Sequence, residues 1–398
     1  MTATTAPGRL SVRPGTPAST SFACEQCDPA SSWQRDTRAD TVRRLRAPSE
    51  RPGDAVPTDV DEQRSGNPRE ALRDYHQIQQ LSESQEDAAR IEEQPKLVSR
   101  FYDAVTRFYV FGWGTTFHFS PRRPGESLVE SQRRHDEEIG EILQLKPAME
   151  VADLGCGVGG PMITIGRASG ANITGINFSP EQISRGERLV AKAGLSETCR
   201  FLYANFMDVP LEDGTFDAIY SFEAVCHAPN NLLLFQELYR LVKPGGEIAI
   251  VDWCFTDKFD PTNSRHQEIR KDIETNNAVP DLLTTERQVE TVEEAGFEII
   301  QAIDQQAEHG NPQTPWYMAL QGRDFSFTSW ARTPIGRGFT ATVTRLLELV
   351  RIAPAGTSET ASFLNVAADA LVEGGELEIF TPSFLVHARK PAGAGDGS

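Results

Sequence analysis

The stretch Asp153-Leu154-Gly155-Cys156-Gly157-Val158-Gly159-Gly160 ends one short apolar run, MEVADLG, and opens a second segment, PMITIGRASG. Glycines there let a ligand approach the backbone, and a helix beginning at the loop offers its N-terminal N–H groups to an anion. Pro161 falls in the first turn, where its missing N–H costs nothing. Gly155, Gly157 and Gly160 fit G-x-G-x-x-G, the dinucleotide fingerprint, so the glycines alone are ambiguous. Two details separate the readings. Asp153 stands directly before the glycines, where a carboxylate repels a pyrophosphate but suits a ligand with an ammonium and a sulfonium. The dinucleotide pattern also wants an acid about 20 residues on for the ribose. Here the next apolar run, ANITGIN, ends at Asn177, whose amide can still bond ribose hydroxyls.

Outward from the loop, strands and helices alternate. After ANITGIN comes the helical PEQISRGERLVAKAG, closed by Gly194. CRFLYA, FDAIYSF and GEIAIVDW read as strands, and LLLFQELYRLV is a helix stopped at Lys243-Pro-Gly-Gly246. GFEIIQAID reads as a sixth strand, and GELEIFTPSFLVHARK as a last one near the C-terminus. Such alternation predicts an α/β fold with a mostly parallel sheet flanked by helices. About 70 residues of helical pattern, roughly 325–371, precede the last strand and predict an α-helical cap. Upstream, ALRDYHQIQQL and KLVSRFYDAVTRFY carry apolar residues three and four apart, as helices do.

Composition bounds the function. The 398 residues carry a formal charge of -18 and a pI near 4.9. That balance argues against nucleic acid and against adhesion to anionic lipid by charge alone. No run of 18 apolar residues predicts a transmembrane helix, and the N-terminus lacks a signal peptide's apolar stretch. Six cysteines, scattered, suit a reducing compartment. Cys24 and Cys27 have half a zinc spacing with no second half, so no metal is expected. Residues 1–66 and 392–398 read as disordered tails. Between them we expect a helical substrate segment at 67–130, a cofactor-binding core at 131–304 and a C-terminal region at 305–391. Asp136-Glu137-Glu138 reads as a solvated helix face, and Asp208, Asp213 and Asp217 as ordinary loop and strand-end acids.

FYVFGWGTTFHFS, residues 108–120, packs six aromatic rings and a histidine into thirteen residues. Core strand, membrane-surface segment and wall of an apolar pocket are all open readings. His118, Glu223 and His227 are candidate polar groups: imidazole is a competent base at neutral pH, and Glu223 follows the fourth strand at the sheet edge where ligands bind. Cys226 beside His227 lacks the third partner of a nucleophile pair.

DLGCGVGG resembles motif I of class I S-adenosylmethionine-dependent methyltransferases. FGWGTTFHFS, EAVCHAP, DWCFTDKFDP, VPDLLTT, PWY and the C-terminal RGF, IAP and IFTPSFLVHARKP look like blocks of the sterol 24-C-methyltransferases. The resemblance spans roughly residues 95–391. It implies that Asp153, Gly155, Gly157 and Gly159 hold the methionine part of S-adenosylmethionine, Asn177 the ribose with Gln182 beside it, and Asn205 and Phe206 the adenine. Asn205 stands where Asp is usual. The implied reaction is attack of a sterol side-chain alkene, at C-24, on the sulfonium methyl, followed by a hydride shift and loss of a proton. Tyr109, His118, Glu223 and His227 become the candidate catalytic groups. Phe111, Trp113, Phe117, Phe119 and Trp253 become the sterol wall, where aromatic faces steady a cation without reacting with it.

The family usually carries acids at the positions held here by Arg107 and Val110, which leaves the exact sterol open. Another sterol position, a triterpenoid or a non-sterol lipid are alternative acceptors, and a catalytically silent lipid-binding module is a further alternative. A sterol arrives from a membrane, so we expect an intracellular protein, soluble or peripherally associated with endoplasmic reticulum or lipid droplets. Trp316-Tyr317 and residues 325–330 are the expected contact surface. A homo-oligomer is left open.

Overall fold

The computed structural model describes residues 68–82, 93–102, 105–106, 114–321, 356–393 and a few positions between 336 and 349. Strands β1 (Glu150–Leu154), β2 (Asn172–Asn177), β3 (Cys199–Tyr203), β4 (Phe216–Phe222), β5 (Val242–Phe255), β6 (Glu298–Asp304) and β7 (Phe380–Arg389) form a sheet in the order β3-β2-β1-β4-β5-β7-β6. The pairs from β3 through β5 are parallel, and β7 runs antiparallel to both β5 and β6. This is the class I methyltransferase fold. The central strands are apolar on both faces, as a doubly covered sheet requires: Val151, Ala152 and Leu154 on β1 are all buried, as are Ile248 to Val251 on β5.

Helices α1 (Pro68–Ser82) and α2 (Leu128–Ile142) precede the sheet, with a further helix over 93–102. Helices α3 (Gly160–Ser169), α4 (Pro180–Ala193) and α5 (Asn231–Leu241) connect the parallel strands, and α6 (Ser264–Asn276) and α7 (Thr285–Glu294) follow β5. The segment between β6 and β7 contributes α8 (Gln305–His309), α9 (Met318–Gln321) and the long α10 (Thr357–Glu376). α10 continues through Glu376, so the last strand begins only at Phe380, later than the run GELEIF suggests.

One apolar layer lies on each sheet face, and two further clusters lie above the strand ends. One joins Phe119, Trp316, Phe380 and Leu371; the other joins Tyr75, Phe101, Val105, Ala278 and Phe363. The helical N-terminal segment and α10 are thereby packed over the carboxyl end of the sheet. β1 lies between β2 and β4, so the connections leaving β1 and β4 diverge. That switch point is where open α/β sheets bind ligands.

Two expectations are overturned. Asp136 is fully buried, because α2 turns a polar stripe of Ser131, Gln132, His135 and Asp136 inward. Trp316, expected on an exposed cap surface, is 6% exposed and meets Phe119 edge to face with centroids 4.9 Å apart. No helix among the described residues is long and apolar enough to cross a membrane.

Candidate active site

Three strand ends each bring a polar group to one cavity of about 340 Å³. Asp153 comes from the end of β1, Asn177 from the end of β2 and Glu223 from the residue after β4. Gly155 and Gly157 from the loop line the same cavity, as do Gln182, Phe206, Phe117, His118, Phe119, His227 and Trp253. The helix over 93–102 adds Val98, Phe101 and Tyr102, and α10 adds Leu364, Ala367, Ala368 and Leu371. Its size is within the range of small-molecule sites, with a few polar groups converging among apolar walls.

The glycine loop is shaped by close approach. Gly155 has φ +69, and a Cβ there would lie 2.3 Å from the Ala224 Cβ. A Cβ on Gly160 would lie 2.3 Å from the carbonyl oxygen of Thr115. The tail of the aromatic run therefore lies directly against the start of α3, and Phe117 flanks Gly157. Asn177 fastens the loop from the other side: its amide donates to Gly157 O at 3.0 Å and to Gln182 Oε1 at 2.8 Å. Gln182 in turn donates to Thr106 Oγ1 at 3.1 Å, which ties the N-terminal helical segment to the loop. Asn205 does not line the main cavity. With Met207 it lines a small adjoining recess that shares Val98, Phe178, Phe206 and His227 with the cavity wall.

Asp153 is 2% exposed and accepts one hydrogen bond, from Tyr220 Oη at 3.1 Å. Burial raises its pKa to about 8. A buried carboxyl with so little compensation is suited to a cationic ligand group. The glycine cradle and this acid together fit the methionine end of S-adenosylmethionine.

Glu223 has φ +50, a left-handed conformation strained for a non-glycine residue. Its Oε1 accepts the backbone N–H of Phe119 at 2.5 Å and its Oε2 the indole N–H of Trp253 at 2.7 Å. Burial, with the nearby Asp252 adding to it, holds its pKa well above the carboxylate range. Asp252 itself accepts the N–H of Cys226 at 3.0 Å and of Trp253 at 2.7 Å, and burial raises its pKa to about 6.

The two histidines differ. His118 Nδ1 donates to Phe119 O and Nε2 bonds Asp136 Oδ1, both at 2.7 Å, while the ring stacks on Phe222 with centroids 4.3 Å apart. Both ring nitrogens are engaged with protein atoms. His227 closes a short 3-10 turn, Val225–His227, and burial lowers its pKa to about 4. Its Nδ1 lies 3.1 Å from Ala278 O and its Nε2 2.9 Å from Tyr102 Oη. Tyr102 was not singled out in the sequence, where it reads as one more aromatic at helical spacing. Tyr109, Phe111 and Trp113 lie outside the described residues, as do Arg107, Val110 and residues 325–330.

Comparison with known proteins agrees with this architecture. The family model for a methyltransferase domain matches residues 152–250, and that for the sterol methyltransferase C-terminal region matches residues 327–392. The cycloartenol-C-24-methyltransferase 1 of Oryza sativa subsp. japonica is 43% identical over 77% of this chain and 88% of its own. The sterol 24-C-methyltransferase of Schizosaccharomyces pombe is 35% identical over 84% of this chain and 89% of its own. Among solved structures, the mycolic acid cyclopropane synthase CmaA1 superposes with a TM-score of 0.58 at 19% identity, covering 74% of this chain and 97% of that one. The cyclopropane synthase MmaA2 from Mycobacterium tuberculosis gives 0.56 at 18%, covering 72% and 95%; both show a shared fold. With a polar, glycine-cradled end and an apolar end in one cavity, and with that identity along most of its length, the chain belongs to the sterol 24-C-methyltransferase family.

Proposed function

We propose that this protein transfers a methyl group from S-adenosylmethionine to the C-24 side-chain alkene of a sterol through a carbocation on the sterol. The observation that carries the reading is the single cavity. It joins Asp153, Asn177 and Gln182 to a wall of Phe117, Phe119, Trp253 and the aliphatic face of α10. S-adenosylmethionine supplies an electrophilic methyl on a sulfonium. Asp153 would meet its ammonium, Asn177 and Gln182 its ribose, and the recess beside Asn205 and Phe206 its adenine.

The alkene bears no leaving group that needs an acid. What the chain contributes is alignment, exclusion of water and compensation of positive charge. Alignment of two bound reactants is worth up to about 7–11 kcal/mol. Exclusion of water stops capture of the cation as an alcohol. Positive charge entering the cavity favours the ionised form of Glu223, which burial otherwise disfavours, and that form, held at both oxygens, would balance it. The rings of Phe117, Phe119 and Trp253 add cation–π stabilisation on the order of 2 kcal/mol each where desolvated. His118 is a positioning group that pins residues 114–120 to α2.

An apolar substrate is delivered from a lipid surface, so we place the protein peripherally at endoplasmic reticulum or lipid droplets. The exposed Leu349 and Val366 of the C-terminal region are candidate contacts. The decisive experiment incubates the protein with labelled S-adenosylmethionine and sterols with and without a side-chain alkene, read by mass spectrometry. Methyl gain confined to the alkenes is expected; equal labelling of saturated side chains ends the proposal. Flotation with sterol-bearing liposomes tests the membrane reading, and no co-flotation at any salt concentration removes it.

A further inference from the structure

We infer that Gln94 reads the adenine amino group of S-adenosylmethionine through its side-chain oxygen, so that cofactor binding seats the helix over 93–102. This rests on the function proposed above, which puts the adenine at the recess beside Asn205 and Phe206. Among the described residues, three side chains bordering that recess carry nitrogen or oxygen: Gln94, Asn205 and His227. His227 has both ring nitrogens within bonding distance of protein atoms, Nδ1 at Ala278 O and Nε2 at Tyr102 Oη. The two amides are each half used, and the used half fixes what the other half offers.

Asn205 Oδ1 accepts the backbone N–H of Met207 at 3.0 Å. An N–H can only donate, so the oxygen faces it and Nδ2 is the atom left over. Nδ2 has no partner among the described residues. It can donate to a ring nitrogen of adenine, but it cannot accept from the 6-amino group. An aspartate at this position would offer a second oxygen for that purpose; the asparagine does not. Gln94 is the reverse case. Its Nε2 donates to Ala278 O at 2.9 Å, and a carbonyl can only accept, so Oε1 is the atom left over. Oε1 has no partner among the described residues either, although Gln94 is only 5% exposed. The anchor is itself fixed: Ala278 sits at φ +56, and its oxygen also meets His227 Nδ1 at 3.1 Å. One oriented donor and one oriented acceptor thus border the recess. Adenine needs both, because its ring nitrogens accept and its amino group donates. Gln94 lies on the helix whose Val98, Phe101 and Tyr102 line the main cavity. Its bond to the amino group joins that helix to the cofactor, so the bound cofactor helps hold part of the wall that the sterol meets.

Calorimetry compares S-adenosylhomocysteine with S-inosylhomocysteine, which carries a 6-oxo group in place of the amino group, on the unmodified protein and on Gln94→Met. The unmodified protein should bind the adenosyl ligand about 10-fold or more tightly, because the oxo group faces Gln94 Oε1 as a second acceptor. In Gln94→Met that advantage should shrink to within about threefold. Loss of the Ala278 bond alone would weaken both ligands alike, so a ratio that stays as in the unmodified protein overturns the assignment. Equal binding of the two ligands by the unmodified protein overturns it as well. If Gln94→Met does not fold, hydrogen exchange on the unmodified protein decides. At saturation the adenosyl ligand should protect the backbone amides of residues 96–102 more than the inosyl ligand does, and equal protection overturns the assignment. No binding of either ligand to the unmodified protein would instead remove the proposed function, and this reading with it.

Discussion

The indole N–H of Trp253 donates to Glu223 Oε2 at 2.7 Å, and the backbone N–H of Phe119 holds the other oxygen of the same carboxyl. Trp253 and Glu223 are thereby one rigid unit: under the function proposed above, a ring of the sterol wall also orients the acid whose ionised form would balance the positive charge. Glu223→Gln keeps the shape and removes the group that can ionise when positive charge enters. Steady-state turnover should fall about 100-fold or more, the scale of losing a preorganised electrostatic partner. Trp253→Phe keeps a ring but frees Oε2, and should cost about 10-fold. Calorimetric affinity for the cofactor should change little in either, because the polar contacts proposed for its ammonium and ribose lie at Asp153 to Gln182.

His118 and Asp136 are both buried and bonded to each other at 2.7 Å. Removing one partner leaves the other buried with a hydrogen bond unmade, which costs about 1–3 kcal/mol. His118→Phe preserves a ring to stack on Phe222 and should lower the melting temperature sharply. His118→Phe with Asp136→Leu should recover part of it. The pH dependence of turnover in the surviving single variant should keep its shape if His118, as proposed above, only positions residues 114–120.

The parallel core was legible because each strand is an apolar run ended by glycine or a polar cap, and each helix repeats at three and four residues. FDAIYSF matches β4 residue for residue. The glycine loop and Asp153 were legible because their chemistry is local. The inward face of α2 was not. Its buried positions, Ser131, Gln132, His135 and Asp136, are polar, so hydrophobic periodicity passes over them. They are inside because residues 114–120 form no strand and their carbonyls need donors. Gln132 bonds His118 O at 2.7 Å, and Ser131 bonds Ser120 at 2.7 Å. Tyr102 was hidden for the opposite reason: it fits the apolar pattern, and only its distance to a histidine 125 positions away marks it as more than packing.

Gly160 marks the seam between the aromatic segment and the cofactor loop. A methyl there meets the Thr115 carbonyl at 2.3 Å and the Thr116 hydroxyl at 2.7 Å, and the nearer contact is backbone. One side of the seam must move. Gly160→Ala should cost about 1–3 kcal/mol of stability. The displaced residues 114–120 carry Phe117 and Phe119, so turnover with sterol should fall more than cofactor affinity does. Paired calorimetry and kinetics on the variant check this, and an unchanged ratio of the two would mean the seam does not join the sites.

Asp153 gives the cofactor site a pH signature. Burial raises its pKa to about 8, above the unfolded value, so between about pH 4 and 8 the folded chain holds a proton that the unfolded chain has lost. Its contribution to stability is therefore full below about pH 4 and declines as pH rises toward 8. Asp153→Asn should flatten that part of the melting-temperature profile. A cationic ligand group favours the ionised acid, so cofactor binding below pH 8 should expel a proton. Affinity should then rise by at most about one log unit per pH unit toward pH 8 and level off beyond it. Calorimetry in two buffers of different ionisation enthalpy reads the proton directly, and Asp153→Asn should abolish both its release and the slope. A pH-independent affinity in the unmodified protein would show that Asp153 does not face the ammonium.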